Sequence, residues 1–145
     1  FLDDTLAEQP FYQEDLPNER FHFLGFQPPE QVPVYLKAAN VLLMPFPWTE
    51  HYAYFMSPLK MFEYMASRRP IVATNLPSIR EVLRDEKNAV LSRPGDPESL
   101  ANCMKKVLEE PSLTNQIVDQ AFRDVQQYTW ENRSQTIIEF INLHK

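Results

Sequence analysis

Between Ser57 and Glu63 the chain reads SPLKMFE, and these residue types at this spacing can hold an anion. Ser57 can accept a hydrogen bond from an amide two or three residues on, and Pro58 fixes φ for a first helical turn. The spacing therefore predicts a helix over 57–67 whose first free amides are those of Leu59 and Lys60. Such an end carries roughly half a positive charge and suits a phosphate. Lys60 adds a full charge beside it. Glu63 follows at i,i+3, about 5–6 Å away on the same face, where a carboxylate can accept bonds from a pair of sugar hydroxyls. A plainer reading stands beside this one. Ser-Pro is then only a cap, and Lys60–Glu63 a surface ion pair of about 0.3 kcal/mol. Local sequence leans to the plainer reading, because serine caps are common and this is no glycine-rich phosphate loop.

The stretch 46–56, FPWTEHYAYFM, gathers Trp48, Glu50, His51, Tyr52, Tyr54 and Phe55. Aromatic rings at a cleft can stack on a sugar or lipid acceptor. They can equally cover a sheet edge, or mark a surface stripped of a partner domain. His51 is the best-placed titratable base, and its default is a solvent-facing loop histidine. No catalytic residue is assigned. His22, His51 and His144 are far apart and no Cys–His spacing suits zinc, so no metal site is expected. Cys103 falls in an apolar helical stripe without a paired base and reads as core. Lys105 and Lys106 lie near a helix end whose dipole favours them without any ligand.

The elements that must position these groups follow from periodicity. Arg20–Phe26, RFHFLGF, reads as a strand (20–24) that stops at a turn on Gly25. A helix follows, with Pro29 in its first turn and Val32, Tyr35, Leu36 and Ala39 at helical spacing. Pro33 must also sit in that first turn, where no amide is needed. Val41–Met44 is apolar throughout, as in a strand buried on both faces. Strands are also predicted at 70–74 and 88–92, around a short helix at 77–84 with Ile79, Val82 and Leu83 inward. Asp96 should cap a helix starting at Pro97 with the stripe Leu100, Cys103, Met104, Val107 and Leu108. Pro111 should open another, with Ile117, Ala121 and Val125 inward. Thr129 should cap a last helix with the stripe Trp130, Ile137, Ile138 and Ile141. Strands alternating with helices make an α/β domain with a parallel sheet and helices on both faces. Ligands of such sheets bind at the carboxyl ends of the strands, which is where Ser57–Glu63 begins.

The bulk numbers fit one domain: 145 residues, 43% of them hydrophobic, enough to bury a core. A net charge of −6 argues against general binding of nucleic acid or anionic membrane. One cysteine excludes an intrachain disulfide and suits a reducing compartment. No apolar run approaches the ~18 residues of a membrane span, and FLDDTLAEQP is no secretory signal. With 13 prolines, two glycines and Phe1 at its start, the chain reads as a piece of a longer protein.

Taken in order, "FHFLGF", "VPVYLKAANVLLMPF", "SPLKMFEYMASRRPIVATNLPSIREVL", "NAVLSRPGDPESLA" and "YTWENR" give more than any one of them. The set, spanning about residues 20–140, resembles the carboxyl-terminal, nucleotide-sugar-binding domain of group 1 (family 4) retaining glycosyltransferases of the GT-B fold. The resemblance implies a Rossmann-like αβα domain and transfer of a sugar from a nucleotide-sugar to an acceptor. The donor would be a substrate, with no cofactor. It implies that Glu63, at the second glutamate of the family's Glu-x7-Glu motif, accepts from the donor's ribose. The Leu59 and Lys60 amides, behind Ser57 and Pro58, match the pyrophosphate turn. Backbone at Gly25, Phe26 and Gln27 matches the loop against which the base sits. Trp48, Glu50, His51 and Tyr52 remain candidates for a sugar or acceptor loop. A missing Asp-x-Asp argues against the metal-dependent type of glycosyltransferase. The resemblance further implies polysaccharide biosynthesis and a cytoplasmic setting, with membrane contact, at the inner face, only through a missing amino-terminal acceptor domain.

There are departures. Phe55 stands eight residues before Glu63, where the first motif carboxylate belongs. Arg68 and Arg69 occupy a turn where the family often has glycine, so Arg68 needs an unfavourable backbone. Nothing before Phe21 matches the family's opening strand, basic loop, helix and second strand. The sheet is thus expected to lack its first two strands. The chain as a whole, residues 1–145 with 119–145 as the closing helices, reads as a partial donor domain. A non-catalytic nucleotide-binding or assembly module with the same fold is the alternative.

Overall fold

The computed structural model describes His22 and residues 24–144. The predicted strand at 20–24 therefore falls largely outside the described residues. Gly25 itself is in the left-handed region, φ +62°, as a turn there requires.

Three short strands, β1 (Leu42–Met44), β2 (Ile71–Thr74) and β3 (Val90–Ser92), form a parallel sheet in the order β1-β2-β3. The register pairs Leu43 with Val72 and Ala73 with Leu91. Around them lie α1 (Val32–Ala38), a π-helical turn (His51–Phe55), α2 (Leu59–Ala66), α3 (Pro77–Arg80), α4 (Pro97–Glu109), α5 (Pro111–Val125) and α6 (Trp130–Leu143). β2 is buried at all four positions, and its side chains alternate between two cores, as a strand covered on both faces must. Ile71 and Ala73 join Met44, Met61, Met65, Leu76, Ile79, Leu83 and Ala121 on one face. Val72 joins Val90, Val107 and Ile117 on the other, backed by Val41, Leu43, Leu100, Cys103 and Met104. The α5 helix serves both cores, packing against α2 and α4. This is the α/β, Rossmann-like, three-layer arrangement that the alternation predicts.

Cap chemistry is borne out where the sequence signals it best. The Asp96 carboxylate accepts from the Ser99 amide at 2.8 Å, with Pro97 first in the helix. Thr129 accepts from Asn132 at 3.2 Å, and Pro111 opens α5. Cys103 packs in the second core with Sγ 3.7 Å from the Leu91 carbonyl, and burial pushes its thiol up.

Several expectations need correction. The helix after Pro29 begins at Val32, because Pro29 and Glu30 form a turn closed by Gln31 N–H on the Pro28 carbonyl. Pro33 does sit in its first turn. The helix at 77–84 stops at Arg80. Beyond it Asn88 takes the backbone groups a longer helix would use, accepting from Arg84 N–H and donating to the Val82 carbonyl. The same side chain turns the chain, so β3 starts at Val90 and not at 88. Leu108 is exposed: Thr114 bonds the Val107 carbonyl and closes α5 over Val107, leaving its neighbour, about 100° further round, outside. A division at 119 would cut α5, which is continuous from Pro111. The stripe on α6 is helical but not inward, since Trp130, Ile137, Ile138 and Ile141 are all at least half exposed.

Among the described residues, β1 is an edge strand, and α1 buries no residue fully. Leu24, Phe26, Val34 and Tyr35 are exposed on the same side of the sequence. Among the described residues no helix is long and apolar enough to cross a membrane.

Candidate functional site

The carboxyl ends of the strands bring together the residues singled out from sequence. β1 ends at Met44, and Phe46 turns tightly after it, its N–H on the Met44 carbonyl at 3.0 Å. Thr74 at the end of β2 reaches the same carbonyl at 3.4 Å. Beyond β2, the side-chain oxygen of Asn75 is enclosed without a hydrogen-bond partner among the described residues.

The α2 helix starts at Leu59, one residue later than a Ser57 cap predicts. Pro58 is the cap residue in extended backbone (ψ 118°), and no side chain caps the helix. Because Pro58 is itself extended and not the first helical residue, Ser57 lies one position before the cap and its hydroxyl caps no amide. The Met61 amide bonds the Pro58 carbonyl at 3.1 Å. The amides of Leu59 and Lys60 precede it and have no intrahelical acceptor. Removing the serine cap thus leaves these two donors available. At its other end α2 closes through Arg68 at φ +58°, the left-handed backbone expected from the missing glycine. Arg68 stacks on Phe122, 3.6 Å from the ring centroid, and pairs with Asp119 at 3.3 Å.

Lys60 and Glu63 do not form the surface ion pair of the plainer reading. Lys60 Nζ lies over the Phe46 ring, 4.9 Å from its centroid. Glu63 faces the other way, into a groove of about 250 Å³ walled by Pro29, by Val32, Pro33, Leu36 and Lys37 of α1, by Ala66 of α2 and by Ser67 just after it. Burial, and then the Glu63 charge next to it, push the Tyr64 phenol up.

The loop at 25–27 does not line this groove and is tied instead to α1. Gln27 pins it: its amide nitrogen bonds the Leu24 carbonyl, and its amide oxygen accepts from the Tyr35 hydroxyl of α1 at 3.0 Å. The side chain thus fixes the backbone that the sequence reading considered alone. Phe26 projects outward, 89% exposed. Arg69 ties the turn after α2 to the end of α1 by bonding the Lys37 carbonyl.

The stretch 46–56 is not all loop. His51–Phe55 forms a π-helical turn. Thr49 starts it, its hydroxyl accepting from the Tyr52 amide at 3.2 Å, and Ala53 is fully buried beneath it. Threonine three residues before Tyr52 is the one signal that could have found it. Tyr52 stacks on Phe46, ring centroids 5.2 Å apart and planes 24° apart, and packs on the first core. This favours the sheet-covering reading for Tyr52. Trp48, Glu50 and His51 are exposed, and none of the four lines the Glu63 groove. Phe55 is 72% exposed. Among the described residues no group of three or more His, Cys, Asp or Glu side chains is arranged to hold a metal ion.

The model of the family described as Glycosyl transferases group 1 matches residues 5–110. The chain belongs to this family. An uncharacterized glycosyltransferase of Methanocaldococcus jannaschii is 27% identical over 124 residues, 85% of this chain and 30% of that protein. Among solved structures, HepE of Anabaena in complex with UDP-glucose superposes with a TM-score of 0.65 at 23% identity, covering 83% of this chain and 31% of that one. The C-terminal domain of a group 1 glycosyl transferase from Francisella tularensis gives 0.60 at 21%, covering 72% and 51%. The fold is thus shared with carboxyl-terminal glycosyltransferase domains, and the chain spans about 30% of the length of the curated relative.

Proposed function

We propose that this group 1 glycosyltransferase chain supplies the donor-binding part of an enzyme that moves a sugar from a nucleotide-sugar to an acceptor with retention. The observation that carries the reading is the divergence of Lys60 and Glu63. Had they paired, α2 would present a neutralised surface. Instead the amides of Leu59 and Lys60, with the Lys60 ammonium, form a cationic end for a diphosphate. Glu63 stands one turn on, in the groove beside α1, and accepts from the ribose hydroxyls, with the base lying toward Phe26 and Gln27. Negative charge develops on the diphosphate as the bond to the sugar breaks. Donors already aimed at that position stabilise it without reorganising. The donor is a substrate, and neither a cofactor nor a metal ion is required of these residues. HepE, which shares the fold, was crystallised with UDP-glucose, which makes a UDP-sugar the first donor to try.

One observation favours a second reading, a nucleotide-binding or assembly module without chemistry: Phe55, not a carboxylate, occupies the first motif position. The two separate in one assay. The full-length protein is incubated with UDP-, GDP- and ADP-sugars, and release of nucleoside diphosphate is followed. Turnover with one donor class supports the enzyme. Binding without transfer or hydrolysis supports the module.

A further inference from the structure

The residues behind Lys60 are the part of this site that neither the family motif nor the sequence pattern assigns. A lysine on an exposed helix surface normally samples many rotamers, and an ion pair would restrain it only by cancelling its charge. Lys60 does neither. Its ammonium sits over the Phe46 ring, and among the described residues no carboxylate forms a salt bridge with it. A ring face attracts a cation through its quadrupole and carries no net charge. The contact therefore fixes the ammonium while leaving its full charge and its N–H donors for an anion.

Phe46 is itself held from three sides. Its backbone is fixed by the bond to Met44 at the end of β1. Its ring is half-buried on the first core and stacked on Tyr52. Tyr52 is fixed in turn by Thr49 at its amide and by the Ser78 hydroxyl, which donates to its carbonyl at 2.6 Å. Elements from the ends of β1 and β2 thus converge on one ring beneath one ammonium. We propose that Phe46, backed by Tyr52, is a positioning residue that presents the charged Lys60 ammonium to the diphosphate of the donor. This rests on the donor-site reading above. It gives the π-helical turn a role in holding Lys60 and separates Tyr52 from the exposed Trp48 and His51.

The test has a ligand-free arm and a ligand arm. In the full-length protein, the Hε protons of Lys60 show an upfield ring-current shift that Phe46→Leu abolishes and Phe46→Tyr keeps. In calorimetry, Phe46→Leu weakens binding of UDP, or whichever of UDP, GDP and ADP binds, by about two- to fivefold. It leaves binding of the matching nucleoside unchanged, and Phe46→Tyr restores the diphosphate affinity. In a Lys60→Ala background, Phe46→Leu adds nothing further. Should Phe46→Leu not fold, Tyr52→Leu, which removes only the backing ring, is read in the same way. Absence of the ring-current shift overturns the proposal. So does an equal loss for nucleoside and diphosphate, or a loss that persists without Lys60, since a merely structural phenylalanine would give either. A wild-type protein that shows the shift but binds no nucleotide contradicts the donor-site reading, and with it the ligand named here, while leaving the contact itself demonstrated.

Discussion

At the residue scale, the sequence locates the site but not the directions its side chains take. SPLKMFE places Lys60 and Glu63 within reach of each other, and spacing alone makes a surface pair the default. The fold separates them, because Phe46, fourteen residues upstream, draws Lys60 one way while α1 walls a groove on the other side of α2. No local pattern could reveal this, since it depends on where β1 ends. The same holds for Gln27, whose side chain anchors the 25–27 loop through Tyr35. A carboxylate bonded to a ribose predicts a specific discrimination. The 2′-deoxy nucleoside diphosphate should bind the wild-type protein about tenfold less tightly than the ribonucleotide, as expected for a lost hydrogen bond to a charged acceptor. In Glu63→Ala that difference should vanish. Competition calorimetry with the two nucleotides measures it directly.

At the scale of elements, prolines and caps made α4, α5 and α6 legible, and unbroken apolar runs revealed β1 and β2. Where the reading failed, a side chain had replaced a backbone rule. Asn88 ended α3 early, Pro58 displaced the Ser57 cap, and the π-helical turn at 51–55 hid behind Pro45 and Pro47. Two predictions belong here. Arg68 adopts left-handed backbone at the end of α2, which costs a non-glycine residue about 1–2 kcal/mol. Arg68→Gly and Arg68→Ala both lose the Phe122 and Asp119 contacts, so their difference isolates the backbone term. The glycine variant should be more stable by about 1 kcal/mol in urea unfolding. The second concerns acid. The Ser99 amide bonded to Asp96, helped by Arg93, holds its carboxyl below the usual range against an opposing burial effect. A depressed carboxyl stabilises the fold at pH above the unfolded value of about 3.9. That stability is lost as pH falls through the lower folded value. Asp96→Asn keeps an acceptor at the cap but has no such titration. Its deficit in urea midpoint relative to wild type should be constant between about pH 5 and 7 and shrink below about pH 4.

At the scale of the molecule, alternation of strands and helices was enough to predict a parallel α/β sheet, and the ordered motifs were enough to predict the family. Composition could not show which apolar residues find partners. The α6 stripe has the right spacing for burial, yet Trp130, Ile137, Ile138 and Ile141 stay open among the described residues, as does the outer side of α1. The chain covers about 30% of the curated relative's length, and the proposed donor site draws on this part alone. Residues 1–145 alone should therefore release no nucleoside diphosphate from any nucleotide-sugar, in the same assay in which the full-length protein does. The most direct test of the central claim is calorimetric titration of the full-length protein with UDP, GDP and ADP, in buffer containing EDTA, repeated with Lys60→Ala and Glu63→Ala. One nucleoside diphosphate should bind, and each substitution should weaken it by about tenfold or more. Failure of the wild-type protein to bind any of the three, or binding that neither substitution alters, would contradict a donor site at the start of α2.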